Sequence, residues 1–84
     1  MVELWLSNTY ANSVGMSQII IKRLSRKLRE ERLKRNLSQE TLAQKAKLSR
    51  NFIGMLERAE RNITISRLED IAEVLGLETW ELLK

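Results

Sequence analysis

The feature that most constrains the fold of this 84-residue chain is the stretch QETLAQKAKLSRNFIGMLER at positions 39–58. Small and apolar residues recur in it at helical spacing, which predicts two short helices joined by a tight turn. Ala43 falls in the middle of the first helix, where a second helix can cross closely only if the side chain is small. Leu48 closes the turn, while Ile53 and Leu56 share one face of the second helix and point back at the first.

The opposite face of the second helix carries a small, polar and partly basic set of residues. These are Ser49, Arg50, Asn51, Gly54 and Met55. A helix-turn-helix with such a face leaves its second helix available to lie in the major groove of DNA. The stretch therefore predicts a local structure together with a surface that suits a DNA reader.

The charge of the chain is uneven along its length. Residues 17–62 contain 13 Lys or Arg against 5 Asp or Glu, a net charge of +8, whereas residues 63–84 have a net charge of −3. The positive charge thus coincides with the helix-turn-helix and the segment before it, as a polyanionic partner such as DNA requires. For the first helix alone, a solvated face rich in Lys and Arg is an equally good interpretation.

Composition favours one small helical domain. The chain has no cysteine and no proline and only three glycines, which excludes disulfides and thiolate metal sites and favours helices over strands. It has no run of 18 apolar residues, so we expect no membrane span. No basic segment precedes the apolar residues near the start, which argues against a signal peptide and favours a cytoplasmic protein.

Periodicity and capping residues predict five helices and no strand, an all-α fold. The predicted helices cover residues 18–35, 39–46, 50–58, 65–75 and 79–83. Ser17, Ser38, Ser49 and Thr64 precede four of them as N-caps, and Asn36 and Gly76 follow two of them at the position that tolerates left-handed backbone.

The first predicted helix has an apolar stripe, which consists of Ile20, Ile21, Leu24 and Leu28. Residues 1–16 differ from the rest, because they are nearly uncharged and show no sustained period. We interpret them as an extension that is flexible or docks on the domain or on a partner subunit, and residues 17–84 as the DNA-binding and dimerisation domain.

Residues 20–83 resemble the lambda-repressor-like Cro/CI (XRE) family of DNA-binding domains. The segments that carry the resemblance are NLSQETLA, the turn that ends in Leu48-Ser49, LER, RNITISRLEDIA and LGL. Within the family, SRNFIGMLERAERNITI looks most like the controller proteins of restriction-modification systems. The resemblance implies a five-helix fold and a small dimer that acts on a palindromic operator in its own promoter. Antitoxins share most of the pattern, so a module that mainly binds another protein stays an alternative, with residues 1–16 in the partner's groove.

The resemblance also implies which residues touch base edges, namely Ser49, Arg50, Asn51 and Met55. The chemistry agrees, because Arg can donate twice to guanine and Asn can pair with adenine. An Arg50 that contacts only phosphate is the alternative.

Phosphate contacts are implied for a second set of residues, namely Gln39, Arg58, Arg61 and Asn62. Gln39 opens the second helix, where the partial positive charge of a helix start favours phosphate. The other three follow the recognition helix, where solvated loop residues are the alternative. The family also pairs Arg32 with Glu57 as an ion pair that ties the first helix to the third, and we expect a structural role for it.

One recognition helix reads only half a site, so the chain needs a dimer interface. We expect it at Leu77, Trp80 and Leu83, because their apolar surface exceeds what so small a domain can bury; packing of Trp80 onto the first helix is the alternative. The resemblance makes RNA polymerase a possible partner through Glu60. It also exposes two departures, Lys47 and Ala59, at positions where the family commonly has glycine.

The sequence does not favour an enzyme. Without His or Cys, the chain lacks a His-based triad, a thiol nucleophile and a zinc cluster, and it has no glycine-rich phosphate loop. The carboxylate pairs Glu30/Glu31 and Glu69/Asp70 are adjacent on helices, so we expect them on solvated faces. We therefore expect no metal, no cofactor and no small-molecule effector.

Overall fold

The computed structural model describes residues 17–84, which form five helices and no strand, as the sequence predicted. The helices are α1 (Gln18–Lys34), α2 (Gln39–Ala46), α3 (Arg50–Glu57), α4 (Ile65–Leu75) and α5 (Thr79–Leu82). The predicted ends of α1, α3 and α5 were one residue too long, because Arg35, Arg58 and Leu83 are the residues that cap these helices. The predicted extension of residues 1–16 lies outside the described range.

Short hydroxyl side chains begin the first four helices. In each case the cap oxygen accepts the backbone N–H three residues later, at 2.9–3.3 Å; the caps are Ser17, Ser38, Ser49 and Thr64. α5 begins differently, because the Glu81 carboxylate accepts the backbone N–H of Glu78 at 2.7 Å. All four predicted N-caps are confirmed.

The first four helices also end in the same way, with one residue in the left-handed conformation. These residues are Asn36, Lys47, Ala59 and Gly76, with φ between 55° and 71°. The residue after each of them donates its N–H to the carbonyl five positions earlier, at 2.8–3.2 Å. This is the Schellman motif, and it reverses the chain tightly after each helix.

Two of these four terminators are costly. Lys47 and Ala59 adopt the left-handed conformation, with φ of 60°, although each carries a Cβ. Left-handed backbone costs such residues about 1 kcal/mol each. The turn of the helix-turn-helix therefore has the left-handed backbone that favours glycine, although Lys47 occupies the position.

The core lies where the five helices converge. α2 packs against α3 and α4, α1 packs against α3, and α5 packs against α4 and α1. The largest fully buried side chains are Ile21, Leu24, Leu28, Leu42, Ile53, Leu56, Leu68, Ile71 and Leu82. Ala43 is also buried, as the close crossing of α2 and α3 requires.

Two details of the core differ from the sequence analysis. Ile20 was placed in the apolar stripe of α1 but is exposed, because the buried stripe follows Ile21, Leu24 and Leu28 and Ile20 lies one position off that face. In α5 the core residue is Leu82, which is fully buried, whereas Leu77 and Leu83 are only partly buried against the core.

Glu31 was expected on a solvated face, and this prediction is wrong. Its side chain is only 7% exposed and lies 2.7 Å from Arg35 Nη1, 3.1 Å from Lys34 Nζ and 3.4 Å from Lys27 Nζ. Hydrogen bonds from Arg35 and then Lys34 lower the pKa of Glu31 from 4.5 to about 2, against the opposing effect of burial. Because the folded-state pKa lies below the unfolded one, this contribution to stability is lost as the pH falls from about 4.5 towards 2.

We expect Ala59→Gly to stabilise the domain by about 1 kcal/mol, because it removes the Cβ from a left-handed residue. Gly76→Ala is the matched opposite change. A Cβ at Gly76 meets no atom within 4 Å, so only its φ of 71° would be penalised. Urea unfolding should move the two midpoints in opposite directions. Equal midpoints for both variants and the wild type would contradict the strain at these helix ends.

Candidate nucleic-acid interface

The first turn of α3 presents the residues predicted to read bases. Ser49, Arg50 and Asn51 are exposed, and Met55 lies half-exposed one turn later. The Ser49 hydroxyl accepts the Phe52 N–H at 3.0 Å, so its oxygen holds the helix start and its own proton stays available to donate. Ser49, Arg50 and Asn51 thus cluster at the start of α3, whereas Met55 lies towards its C-terminal end.

Arg50 and Asn51 differ in how far their side chains are engaged. The Asn51 amide nitrogen lies 3.7 Å from the Met55 sulfur, a weak contact along the helix. The Arg50 guanidinium forms no hydrogen bond or ion pair with any residue in the range 17–84. An exposed cation with its donors unused can donate to a base edge or to a phosphate.

The residues predicted to contact phosphate lie at the start of α2 and directly after the end of α3. Gln39 opens α2, and its amide nitrogen donates to Glu57 Oε1 at 3.1 Å. Arg58 pairs with Glu60 at 3.0 Å, with both side chains more than half exposed. Such an exposed pair is worth little, so it does not withhold Arg58 from a phosphate.

The remaining two residues of this set lie in the loop between α3 and α4. The Arg61 guanidinium lies 5.3 Å from the centre of the Phe52 ring, so the recognition helix itself supports this side chain. Asn62 follows directly and is exposed. Both residues are thus at the surface next to α3.

Gly54 was expected on the exposed face of α3, but it is buried. A Cβ at this position would lie 3.3 Å from Arg58 Nη1 and 3.6 Å from Gln39 Oε1. The residue is small because the start of α2 and the end of α3 meet over it. Its contribution is to bring Gln39 and Arg58 together, so the exposed face of α3 is narrower than the sequence suggested.

Below this surface, Arg32 and Glu57 form a bidentate ion pair. Arg32 Nε lies 2.6 Å from one carboxylate oxygen of Glu57, and Arg32 Nη2 lies 2.9 Å from the other. The remaining Arg32 nitrogen, Nη1, donates to the Leu37 carbonyl at 2.8 Å. The side chains are only 10% and 4% exposed, so the structure brings the pair together in a dry setting.

Glu57 joins three helices through this pair. Its carboxylate accepts two hydrogen bonds from Arg32 of α1 and one from Gln39 of α2, while its own backbone belongs to α3. A buried charge that lost its partner would be costly, whereas here every buried side-chain N or O atom of residues 17–84 has one.

A second link between α1 and α3 was not predicted from the sequence. The hydroxyl of Ser25 lies 2.6 Å from the Leu56 carbonyl and 2.7 Å from the Ile21 carbonyl, and the side chain is buried. Its proton can therefore satisfy a carbonyl in the last turn of α3. The available signal was a serine directly beside Leu24 in the apolar stripe of α1.

The predicted dimer residues differ in exposure. Trp80 is 59% exposed, with Lys84 Nζ 5.2 Å from its ring centre, so the alternative of a core tryptophan is wrong. Leu77 and Leu83 are partly buried against the core. Trp80 is thus the residue of the three with the most apolar surface left for a partner.

Comparison with known proteins agrees with this geometry. The helix-turn-helix family model HTH_3 matches residues 28–82. Control protein C.BamHI of Bacillus amyloliquefaciens is 41% identical over 58 residues, which cover 68% of this chain and 72% of the relative. Control protein C.SmaI of Serratia marcescens is 43% identical over 60 residues, which cover 71% of each.

Solved structures give the same result. The restriction-modification controller protein C.AhdI of Aeromonas hydrophila superposes with a TM-score of 0.72 at 37% identity, covering 74% of this chain and 94% of that one. The hypothetical transcription factor NHTF from Neisseria superposes with a TM-score of 0.76 at 30% identity, covering 83% and 82%. Among residues 17–84, no helix is long and apolar enough to cross a membrane.

Fold and site together define a lambda-repressor-like DNA-binding domain, not an enzyme. The chain belongs to the XRE-like helix-turn-helix family HTH_3 and is a transcription regulator of the restriction-modification controller type.

Proposed function

We propose that this chain is a cytoplasmic, sequence-specific, dimeric regulator that binds a palindromic operator in its own promoter. The observation that carries the proposal is the first turn of α3, where the Arg50 guanidinium is exposed and makes no hydrogen bond or ion pair within residues 17–84. The match to control proteins of restriction-modification systems supports control of such genes.

In this proposal the interface divides its work. Base edges are read by Ser49, Arg50, Asn51 and Met55. Phosphates are held by Gln39, Arg58, Arg61 and Asn62, which fix the register of the protein without reading sequence. The proximity of Gln39 and Arg58 to Gly54 supports their common role. Arg32 and Glu57 hold the helices and do not contact DNA.

The dimer follows from the size of the site. One short recognition helix reads about half an operator, and two-fold dimers place their helices about one DNA turn apart, roughly 34 Å. The exposure of Trp80, the largest of the exposed apolar side chains of residues 17–84, supports an interface at Leu77, Trp80 and Leu83.

Residues 17–84 would then contain both the DNA-binding and the dimerisation surface. Promoter output would depend on protein concentration through the monomer–dimer balance, without a small-molecule effector. RNA polymerase is a further proposed partner, with Glu60 as its contact, since this side chain is 53% exposed beside the DNA-facing residue Arg58.

Footprinting and gel shifts on the DNA immediately upstream of the gene test the regulator directly. We expect protection of a palindromic site, and Arg50→Ala should weaken binding by about 1–3 kcal/mol and relax discrimination at one base pair of each half-site. Lys45→Ala, which removes an exposed charge from the end of α2, is the control and should keep full discrimination. Equal binding to any sequence at physiological salt would contradict the proposal.

The dimer interface has its own test. Trp80→Ala should give a monomer in analytical ultracentrifugation at concentrations where the wild type is a dimer, because it removes the main apolar anchor. Leu33→Ala removes a similarly exposed apolar side chain, beside Arg58, and should leave the dimer intact. A Trp80→Ala dimer as strong as the wild type would move the interface elsewhere, with the segment around Trp5 as the next candidate.

A further inference from the structure

Apart from Arg23 and the buried Arg32, the basic residues of α1 and its C-cap Arg35 fall into two groups. On one flank of the helix, Lys27, Lys34 and Arg35 surround the buried carboxylate of Glu31. Each lies within 3.4 Å of that carboxylate, so the fold fixes their positions, although three cations around one carboxylate keep a net positive charge. This flank is therefore a structural ion-pair cluster.

The opposite flank carries a second group of cations, Lys22, Arg26 and Arg29. They follow one another at spacings of four and three residues, so they form one stripe along the helix. All three are exposed, and none makes an ion pair or hydrogen bond with another described residue. Within residues 17–84, their charge is therefore unpaired.

This stripe forms one wall of an open groove of about 430 Å³, and Arg58 and Ala59 at the end of α3 form the other. Two acids also line the groove, but Glu57 is already neutralised by Arg32 at 2.6 Å. Arg58 is paired with Glu60 at 3.0 Å, so three cations without a described partner face one such carboxylate, that of Glu30, and the groove is net positive.

The groove also joins the proposed DNA-contacting surface. Arg58 lines it and, at the same time, lies 3.3 Å from the Cβ position of Gly54, where the Gln39 amide also lies at 3.6 Å. The groove therefore begins where the proposed phosphate contacts end. From there it extends along α1 as far as Lys22.

We propose that this groove binds the sugar-phosphate backbone of the DNA that flanks the base pairs read by α3. This inference rests on the proposed function and adds three contacts to it, Lys22, Arg26 and Arg29. Lys22 and Arg29 are about 10 Å apart along the helix axis. Along the DNA axis, that distance spans about three phosphate steps of one strand. A guanidinium group can donate two parallel hydrogen bonds to one phosphate.

The double variant Arg26→Gln/Arg29→Gln tests the groove against a matched control, Arg23→Gln/Lys45→Gln. The control removes the same charge from exposed residues outside the groove, and Lys45 lies beside the acids Asp70 and Glu73. Affinity for a 30-base-pair duplex of random sequence, followed by fluorescence anisotropy between about 50 and 200 mM salt, measures phosphate contacts without any operator.

Each lost phosphate contact lowers the slope of log affinity against log salt by about 0.9. The groove variant should therefore lose about 1.8 from its slope, so over this salt range the wild type loses about tenfold more affinity than the variant. The control should keep the wild-type slope, and Arg26→Lys/Arg29→Lys should restore it. Unchanged thermal unfolding of all variants confirms that the fold is intact.

Operator duplexes shortened from their ends give the second readout. The wild type should lose affinity when the flanking base pairs are removed, whereas the groove variant should be indifferent to them. Equal salt slopes for the groove and control variants would overturn the inference. An acidic protein surface would then be the partner that suits the groove. A wild type with no preference for the operator over random DNA would overturn the proposed function instead. The salt slopes measured on random DNA would still test the groove.

Discussion

The interaction on which the structure depends most is the buried ion pair between Arg32 and Glu57. It closes in bidentate geometry, and its surplus hydrogen-bonding groups bind Gln39 and the Leu37 carbonyl. One carboxylate thereby sets the positions of α1, α2 and α3 relative to one another. Because removal of either partner would leave a buried charge, the arrangement favours a single geometry of the helix-turn-helix.

Around this pair, the residues that hold the helices together differ from those proposed to read DNA bases. Ala43 is small and buried where α2 crosses α3, and Gly54 leaves room for the ends of the Gln39 and Arg58 side chains. The hydroxyl of Ser25 and the left-handed residue Lys47 fix the ends of the same helices. The first turn of α3, which begins with Arg50, remains exposed. So few residues can choose only a short sequence, and this is the physical reason why we propose a dimer.

The sequence predicted the helices well because their signals are local. Hydroxyl caps, Asn36 and Gly76 mark the ends, and periodicity marks the buried faces. It failed where the outcome depends on the partner across the interface. Gly54 looked like part of the reading face because only the packing of Gln39 and Arg58 over it reveals its burial. The error at Glu31 has a different origin, because its basic partners at positions −4, +3 and +4 are local and were visible in the sequence.

The claim that the Arg32–Glu57 pair fixes the domain is tested most directly by a double-mutant cycle, followed by urea unfolding. Arg32→Met and Glu57→Met should each cost about 3–5 kcal/mol, because each leaves one buried charge without its partner. The double variant should cost no more than either single change, since neither charge then remains. Additive losses in the double variant would contradict the account and reduce the pair to two independent contributions.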